Sequence, residues 1–365
     1  MFNTLLESYG FFSDSFQITN YGSGLINSTW KVTDRNRNYI LQLVNKQVFK
    51  EPGNIAHNYE VLEEHLSNTA PDYLFLSPIR ARNGQSLIHT KEGDYFRLFR
   101  FIEDSRTVDF LSKPNQAYEA AKQFGRFTRL LDGLDTRLLR HTLDDFHNLT
   151  LRYEQYEQAL AGASTERLEV ARSAIKEIAR HHHILETYSE LIKDEDVKVR
   201  TIHHDTKISN VLFDKDDLGI CVIDLDTVMP GLYISDVGDM LRTYLSPTSE
   251  EDTDFDKIVI REEFFRAIYL GYMEEMGGIL TEVERSHFIF AGEFMVYMQA
   301  LRFLADFLNG DIYYQVKYPG HNLMRAGNQL AYLNKYIEKE PVLREIIIAP
   351  APRRRATLPP LPDRS

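Results

Sequence analysis

Apolar residues change their spacing near residue 103. Before it, short runs rich in β-branched and aromatic residues lie between turn residues. They predict five strands: Phe16 to Asn20, Ser28 to Thr33, Tyr39 to Val44, Ser86 to Thr90 and Tyr95 to Ile102. Asp34-Arg-Asn-Arg-Asn38 and Lys91-Glu-Gly-Asp94 carry turn chemistry between neighbours. One helix interrupts the strands, Ile55 to Leu66, where Ile55, Tyr59, Leu62 and Leu66 recur at helical spacing.

Beyond Glu103 helical spacing dominates. Pro114 to Leu131 carries Ala117, Ala120, Ala121, Phe124, Phe127 and Leu130 on one stripe, with a proline where a helix begins. Residues 144–160, 164–193, 261–276 and 283–309 are predicted as further helices. Thr201 to Val228 breaks the series. There Val211 to Phe213 and Ile220 to Ile223 read as strands around the turn Lys215 to Gly219. Ala349 to Ser365, with five prolines and three consecutive arginines, is predicted to be a tail without a part in the fold. The chain thus divides into a strand-rich region, 1–102, a mainly helical region, 103–348, and a tail, 349–365; it is of the α+β class.

Lys and Arg number 42 against 54 Asp and Glu, a formal net charge of −12. That excludes the basic surface which non-specific nucleic-acid binding or attachment to an anionic membrane would need. The single cysteine, Cys221, lies inside an apolar run, so no intrachain disulfide forms and a reducing compartment is expected. Met1 to Phe12 lacks the basic start and apolar stretch of a signal peptide, and no run approaches a membrane span. A cytoplasmic protein is expected; its oligomeric state is not legible in these residues.

The candidate chemistry lies in the interrupting segment. His203-His-Asp205-Thr-Lys207-Ile-Ser-Asn210 is followed, across the predicted hairpin, by Asp224-Leu-Asp226. Carboxylates beside buried strands are costly unless something pairs with them, and a divalent cation is such a partner. The order H-x-D-x-K-x-x-N then D suits phosphoryl transfer. Asp205 would orient an acceptor hydroxyl and take its proton, Asn210 and Asp224 would hold Mg²⁺ on ATP, and Lys207 would offset charge on the transferred group. Read otherwise, these are strand-end polar groups satisfied by their own backbone; the two halves in order and joined by a hairpin favour the functional reading. Gly22-Ser23-Gly24, between two predicted strands, offers backbone N–H groups to phosphates.

The chain resembles the phosphotransferase enzyme family, the aminoglycoside phosphotransferase-like kinases, and within them the bacterial N-acetylhexosamine 1-kinases. The likeness rests on Tyr21 to Thr29, Ile40 to Asn45, Phe99 to Asp104, His203 to Asn210, Val222 to Gly231, Asp236 to Arg242 and Arg302 to Asp311. It implies a bilobal protein-kinase-like fold, with a five-stranded first lobe and a mainly helical second lobe. ATP would lie between them, with Phe99 to Glu103, Phe101 and Ile102 included, as the hinge at adenine. It implies that Asp205 is the base, that Asn210 and Asp224 are metal ligands, and that Asp226, Arg302 and Tyr313 face a small-molecule sugar. The third strand, which usually supplies a lysine to the phosphates, has Gln42 at that place, so Glu60 would lack its usual ion-pair partner. Lys46 or Lys50 could stand in, although solvated surface positions suit both better.

Other features read as structural. His181-His-His183 cannot converge on one ion from a helix, because consecutive residues point about 100° apart. His203 reads as a support for the loop, and Asp236 and Asp239 as acceptors for loop backbone or helix caps. Arg302, in an apolar helical run, needs an acceptor, which a ligand or a structural carboxylate would supply. The expected activity is phosphorylation of the anomeric hydroxyl of GlcNAc or GalNAc, with ATP and Mg²⁺. The alternatives are a kinase of another hydroxyl compound and a nucleotide-binding pseudokinase.

Overall fold

The computed structural model describes residues 2–12, 16–22, 26–35 and 37–349. The chain begins with a short helix, α1 (Phe2–Ser8). The strands β1 (Phe16–Asn20), β2 (Ser28–Asp34), β3 (Arg37–Val44), β4 (Ile88–His89) and β5 (Tyr95–Arg100) follow, with α2 (Pro52–Thr69) between β3 and β4. They make one antiparallel sheet in the order β1-β2-β3-β5-β4. Alternation places Val32, Leu41, Phe96 and Leu98 on the face covered by α1, where Leu5, Leu6 and Phe11 complete a small core.

The rest is mainly helical: α3 (Pro114–Leu130), α4 (Leu149–Gly162), α5 (Thr165–Arg180), α6 (His183–Leu191), α7 (Tyr233–Tyr244), α8 (Glu262–Met276), α9 (Glu282–Ser286), α10 (Phe288–Leu308) and α11 (His321–Ile348). Two small antiparallel pairs lie among them. One joins β6 (Val199–Ile202) to β9 (Met229–Leu232), and the other joins β7 (Val211–Phe213) to β8 (Gly219–Val222). The architecture is α+β, a five-stranded sheet followed by a mainly helical part.

The second core is larger and reaches back across residue 103. It takes in Ile55, Tyr59, Leu62 and Leu66 of α2 together with Phe124 and Phe127 of α3. Asn58 of α2 bonds the carbonyls of Arg140 and Val228 at 2.8 and 3.0 Å, so this helix is tied to the helical part as well as to the sheet. At the centre stands α10, buried along nearly its whole length against α11, α7 and α4. It is long and apolar enough to cross a membrane, but the fold itself encloses it. Gly238 lets α7 approach it; a Cβ there would collide with the carbonyl oxygen of Ala291.

Three departures from the expected elements have local causes. The helix expected over 164–193 is two helices, because His181 turns out of line and its Nε2 bonds Asn334 of α11 at 2.9 Å. The helix expected over 283–309 is broken at His287, whose Nδ1 meets the Val283 carbonyl at 2.8 Å. Helices α1, α7 and α11 were not expected; in α7 the buried polar residues Ser235, Asp236 and Asp239 lie among the apolar ones. The predicted tail, apart from Ala349, lies outside the described residues.

Glu293 is a carboxyl buried within α10, pushed up to about 7 by burial and then by Glu340. A raised value means that the folded chain keeps a proton which the unfolded chain releases. The stability it confers is complete below the ordinary glutamate value and is lost as pH rises through about 7. Glu293→Gln should therefore gain on the wild type by up to about 3 kcal/mol between about pH 5 and about pH 8, read from urea unfolding at each pH.

Candidate active site

The loop between β6 and β7 is held from below by α7. Asp236 accepts the backbone N–H groups of His203 and His204 at 3.0 and 2.7 Å, and Asp239 accepts that of Thr206 at 2.9 Å. Tyr244 donates its hydroxyl to the Thr206 carbonyl at 2.6 Å. These bonds hold His204 at φ 65°, a left-handed conformation costly for any residue but glycine. His203 is buried, its Nε2 against the Ile223 carbonyl at 3.0 Å, so it joins the two halves of the motif as a structural support. Gly231 leaves space for the His204 ring, which a Cβ would strike.

Asp205 stands at the top of this loop with Lys207 Nζ 3.0 Å away. Burial works to raise its carboxyl, but Lys207 and His203 outweigh burial and hold it below the ordinary aspartate value. Asn210 donates Nδ2 to the Asp205 carbonyl at 2.9 Å, which leaves its amide oxygen as the free acceptor. Asp224 begins the segment after β8 at φ 59°, and among the described residues its buried Oδ1 has no hydrogen-bond partner. Burial, then Asp226 and Asp205, push its carboxyl up to about 7. An unpartnered buried carboxylate oxygen beside a second carboxylate is a site that a hard divalent cation would stabilise. The oxygen donors of Asn210 and Asp224 fit Mg²⁺ in chemistry.

Asp205, Lys207, Asn210 and Asp224 line one cleft of about 660 Å³ with Gly22, Gln42, Phe101 and Ile102. Ser23 and Gly24 lie outside the described residues. The Phe101 ring has Tyr21 edge-on at 5.8 Å and Lys31 Nζ over its face at 4.3 Å. The backbone N–H of Phe101 bonds Asn38, and the carbonyl of Ile102 receives Ser105 Oγ at 2.6 Å.

Asp226 departs from the expectation that it faces an acceptor. It is 2% exposed and does not line the cleft. It pairs with Arg97 of β5, also 2% exposed, and accepts Asn27 Nδ2 at 2.8 Å. The physical reason is Arg97 itself: a guanidinium buried inside a sheet needs a counter-charge, and Asp226 is the one that reaches it. Arg97 also donates Nε and Nη2 to Gln42 Oε1 at 3.1 and 2.9 Å, its cross-strand neighbour. The carboxylate of Glu60 turns to the surface and pairs with Arg80 at 3.1 Å, and Lys46 binds Asp94, so neither serves the cleft. Arg97 was legible by the reasoning applied to Arg302: an arginine in the run Tyr95-Phe-Arg-Leu-Phe-Arg100 has nowhere dry to go unpaired.

Arg302 and Tyr313 lie outside the cleft lining, on the side of the catalytic loop formed by α10 and the loop after it. Arg302 is half-buried, its guanidinium 5.8 Å from the Phe146 ring and 5.6 Å from Tyr314. Phe146 reaches back to His204, ring to ring at 6.3 Å. Tyr313 is 72% exposed, its ring against Tyr314 at 4.8 Å. Sequence reading missed the neighbours. Arg152 spends its Nη2 on the backbone carbonyls of Asp145 and Phe146, and burial and then Arg302 lower its guanidinium. His147 is held well below the ordinary histidine value by burial and then by His204 and Arg302. Neither Arg152 nor Arg302 has a carboxylate at ion-pair distance among the described residues, whereas nearby Arg242, Arg325 and Arg167 each do. Among the described residues the buried His147 Nδ1 has no hydrogen-bond partner.

The profile of the phosphotransferase enzyme family matches residues 17–270. Among solved structures, an aminoglycoside phosphotransferase from Alicyclobacillus acidocaldarius superposes with a TM-score of 0.63 at 14% identity, covering 94% of this chain and 95% of that one. A microcompartment-associated aminopropanol kinase gives 0.60 at 16%, covering 93% and 97%. A spectinomycin phosphotransferase in complex with ADP and spectinomycin gives 0.56 at 14%, covering 95% and 97%. Likeness at these identities carries the fold, which is kinase-like.

Removing Asp226 would strand the Arg97 charge in a dry site. Asp226→Ala should lose about 3–5 kcal/mol of unfolding free energy, measured by urea denaturation, as truncating one partner of a buried pair does. An acceptor ligand with no part in the fold would leave that value unchanged.

Proposed function

Because the chain belongs to the phosphotransferase enzyme family, its chemistry is ATP-dependent transfer of phosphate to a hydroxyl group, and we propose that this hydroxyl is the anomeric one of an N-acetylhexosamine, GlcNAc or GalNAc. The observation that carries the reading is the presence of Asp205, Asn210 and Asp224 in one cleft with the hinge residues Phe101 and Ile102. Adenine would enter at Phe101, and the phosphates would run toward Asp224. Mg²⁺ held by Asn210 and Asp224 would supply positive charge to the triphosphate.

Asp205 orients the sugar hydroxyl. As its oxygen bonds to the γ-phosphorus, the bridging P–O bond to the β-phosphate breaks, ADP leaves, and the hydroxyl proton passes to the Asp205 carboxylate. A carboxylate held low by Lys207 is a weak base, so it takes this proton late, when the transition state has loosened and the oxygen has become acidic. An anomeric hydroxyl, more acidic than an ordinary alcohol, suits such a base.

The charge on the acceptor side favours an acylated sugar over an amine. The structural relative named for aminopropanol is named for a cationic acceptor. Arg152 and Arg302, without a carboxylate at ion-pair distance among the described residues, would disfavour an ammonium group. Acetylation removes that charge and supplies a carbonyl oxygen, which an arginine can meet. The runner-up is a kinase of another uncharged hydroxyl compound. A pseudokinase reading is disfavoured by the complete Asp205, Asn210 and Asp224 set.

Asp205→Asn should cut kcat by about 10²-fold with MgATP binding kept, whereas Asp224→Ala should weaken MgATP binding and turnover together. Coupled ADP release and calorimetry read both. Arg302→Ala should raise KM for the sugar by about tenfold, the loss of one charged hydrogen bond, with KM for ATP unmoved. Phosphorus-coupled proton NMR of the product should show coupling at the anomeric proton. Coupling at the C6 methylene, or turnover of a 1-O-methyl glycoside, would transfer the assignment to another hydroxyl.

A further inference from the structure

Gln42 lines the nucleotide cleft as an uncharged residue, and its orientation is not its own. Its amide oxygen accepts two guanidinium N–H groups of Arg97, at 3.1 and 2.9 Å. A flipped amide would set its two N–H bonds against those of the buried guanidinium, donor against donor. Nε2 is therefore turned away from Arg97, 3.4 Å from Thr29 Oγ1, and Thr29 itself lines the cleft. The other arm of Arg97 binds Asp226, two residues from Asp224. Asp226 holds Asn27 in turn, and Asn27 Oδ1 accepts the Asn45 N–H at 3.0 Å.

We infer that Arg97 is a positioning residue of the phosphate site: it turns the amide N–H bonds of Gln42 toward the nucleotide phosphates while its pairing with Asp226 anchors the strand beside the Asp224 loop. This rests on reading the cleft as the MgATP site. Arg97 does not itself line the cleft, and Asp226 neutralises its charge locally, so it acts on the nucleotide through Gln42. What the phosphates meet at this place is an oriented neutral donor, and the fixed orientation compensates for the missing charge.

The test uses the full chain and calorimetric titration with two ligands, adenosine and a non-hydrolysable MgATP analogue. Gln42→Met removes the donor and leaves Arg97 with Asp226. Arg97→Lys keeps a cation for Asp226 but cannot hold the Gln42 oxygen with two N–H groups. Each variant should weaken the ATP analogue by about tenfold, one hydrogen bond to a charged group, and change adenosine affinity by less than about twofold. The double variant should be no worse than the single ones, because the two residues act as one unit. Gln42→Met binding the analogue as the wild type does, Arg97→Lys weakening both ligands alike, or losses that multiply in the double variant would each overturn the inference. A wild-type chain that binds neither ligand would overturn the nucleotide reading of the cleft, a result distinct from any of these.

Discussion

Two carboxylates three residues apart on α7 give the catalytic loop its form. Asp236 and Asp239 together accept the backbone N–H groups of His203, His204 and Thr206. A left-handed histidine persists only where its surroundings over-determine it, and here the determinants come from one helix. Burial pushes Asp236 up to about 7, so the bonds that shape the loop are made by a group which the fold itself makes hard to ionise. Asp205 can project from such a loop at a fixed place because its carboxylate is not among the acceptors that hold the backbone N–H groups beneath it.

The charges continue outward from this helix in alternating sign. Arg242 lies between Asp239 and Glu250, Arg325 between Glu250 and Glu251, and Glu251 meets Lys317 and His321. The chain of pairs runs from the catalytic loop to the loop that carries Tyr313. Every cation along it is matched. Arg152 and Arg302, beside the same loop, have no carboxylate at ion-pair distance among the described residues and bond neutral partners instead, Arg152 the Asp145 carbonyl and Gln155, Arg302 Gln299.

What could be read from the sequence divides by the range of the interaction. Strand alternation, the helix carrying Tyr59 and the hairpin between Asn210 and Asp224 are local, and they were legible. The third strand starts two residues earlier than expected, and α2 extends by three residues at each end. Helices α7 and α11 were not legible because buried polar residues, Asp236 and Asp239 in one and Asn328 and Gln329 in the other, interrupt the run of apolar positions. The partners of Asp226 were hidden for another reason. Asp226 and Arg97 are 129 residues apart, and nothing in the spelling of either segment names the other. The same holds for Arg152 and Phe146, which matter only because α10 brings Arg302 beside them.

The apolarity of α10 has a consequence for the order in which the molecule can be made. Its most extensive neighbour is α11, which follows it in the chain. During synthesis the twenty-one residues of α10 emerge before the helix that covers them. One side of the most hydrophobic segment in the protein stays open until residue 348 is free to fold back. Until then the helical part lacks one of its largest internal contacts, and the nascent chain keeps an apolar surface open. The site depends on this late step as well, because α7, which shapes the catalytic loop, is seated against α10 through Gly238.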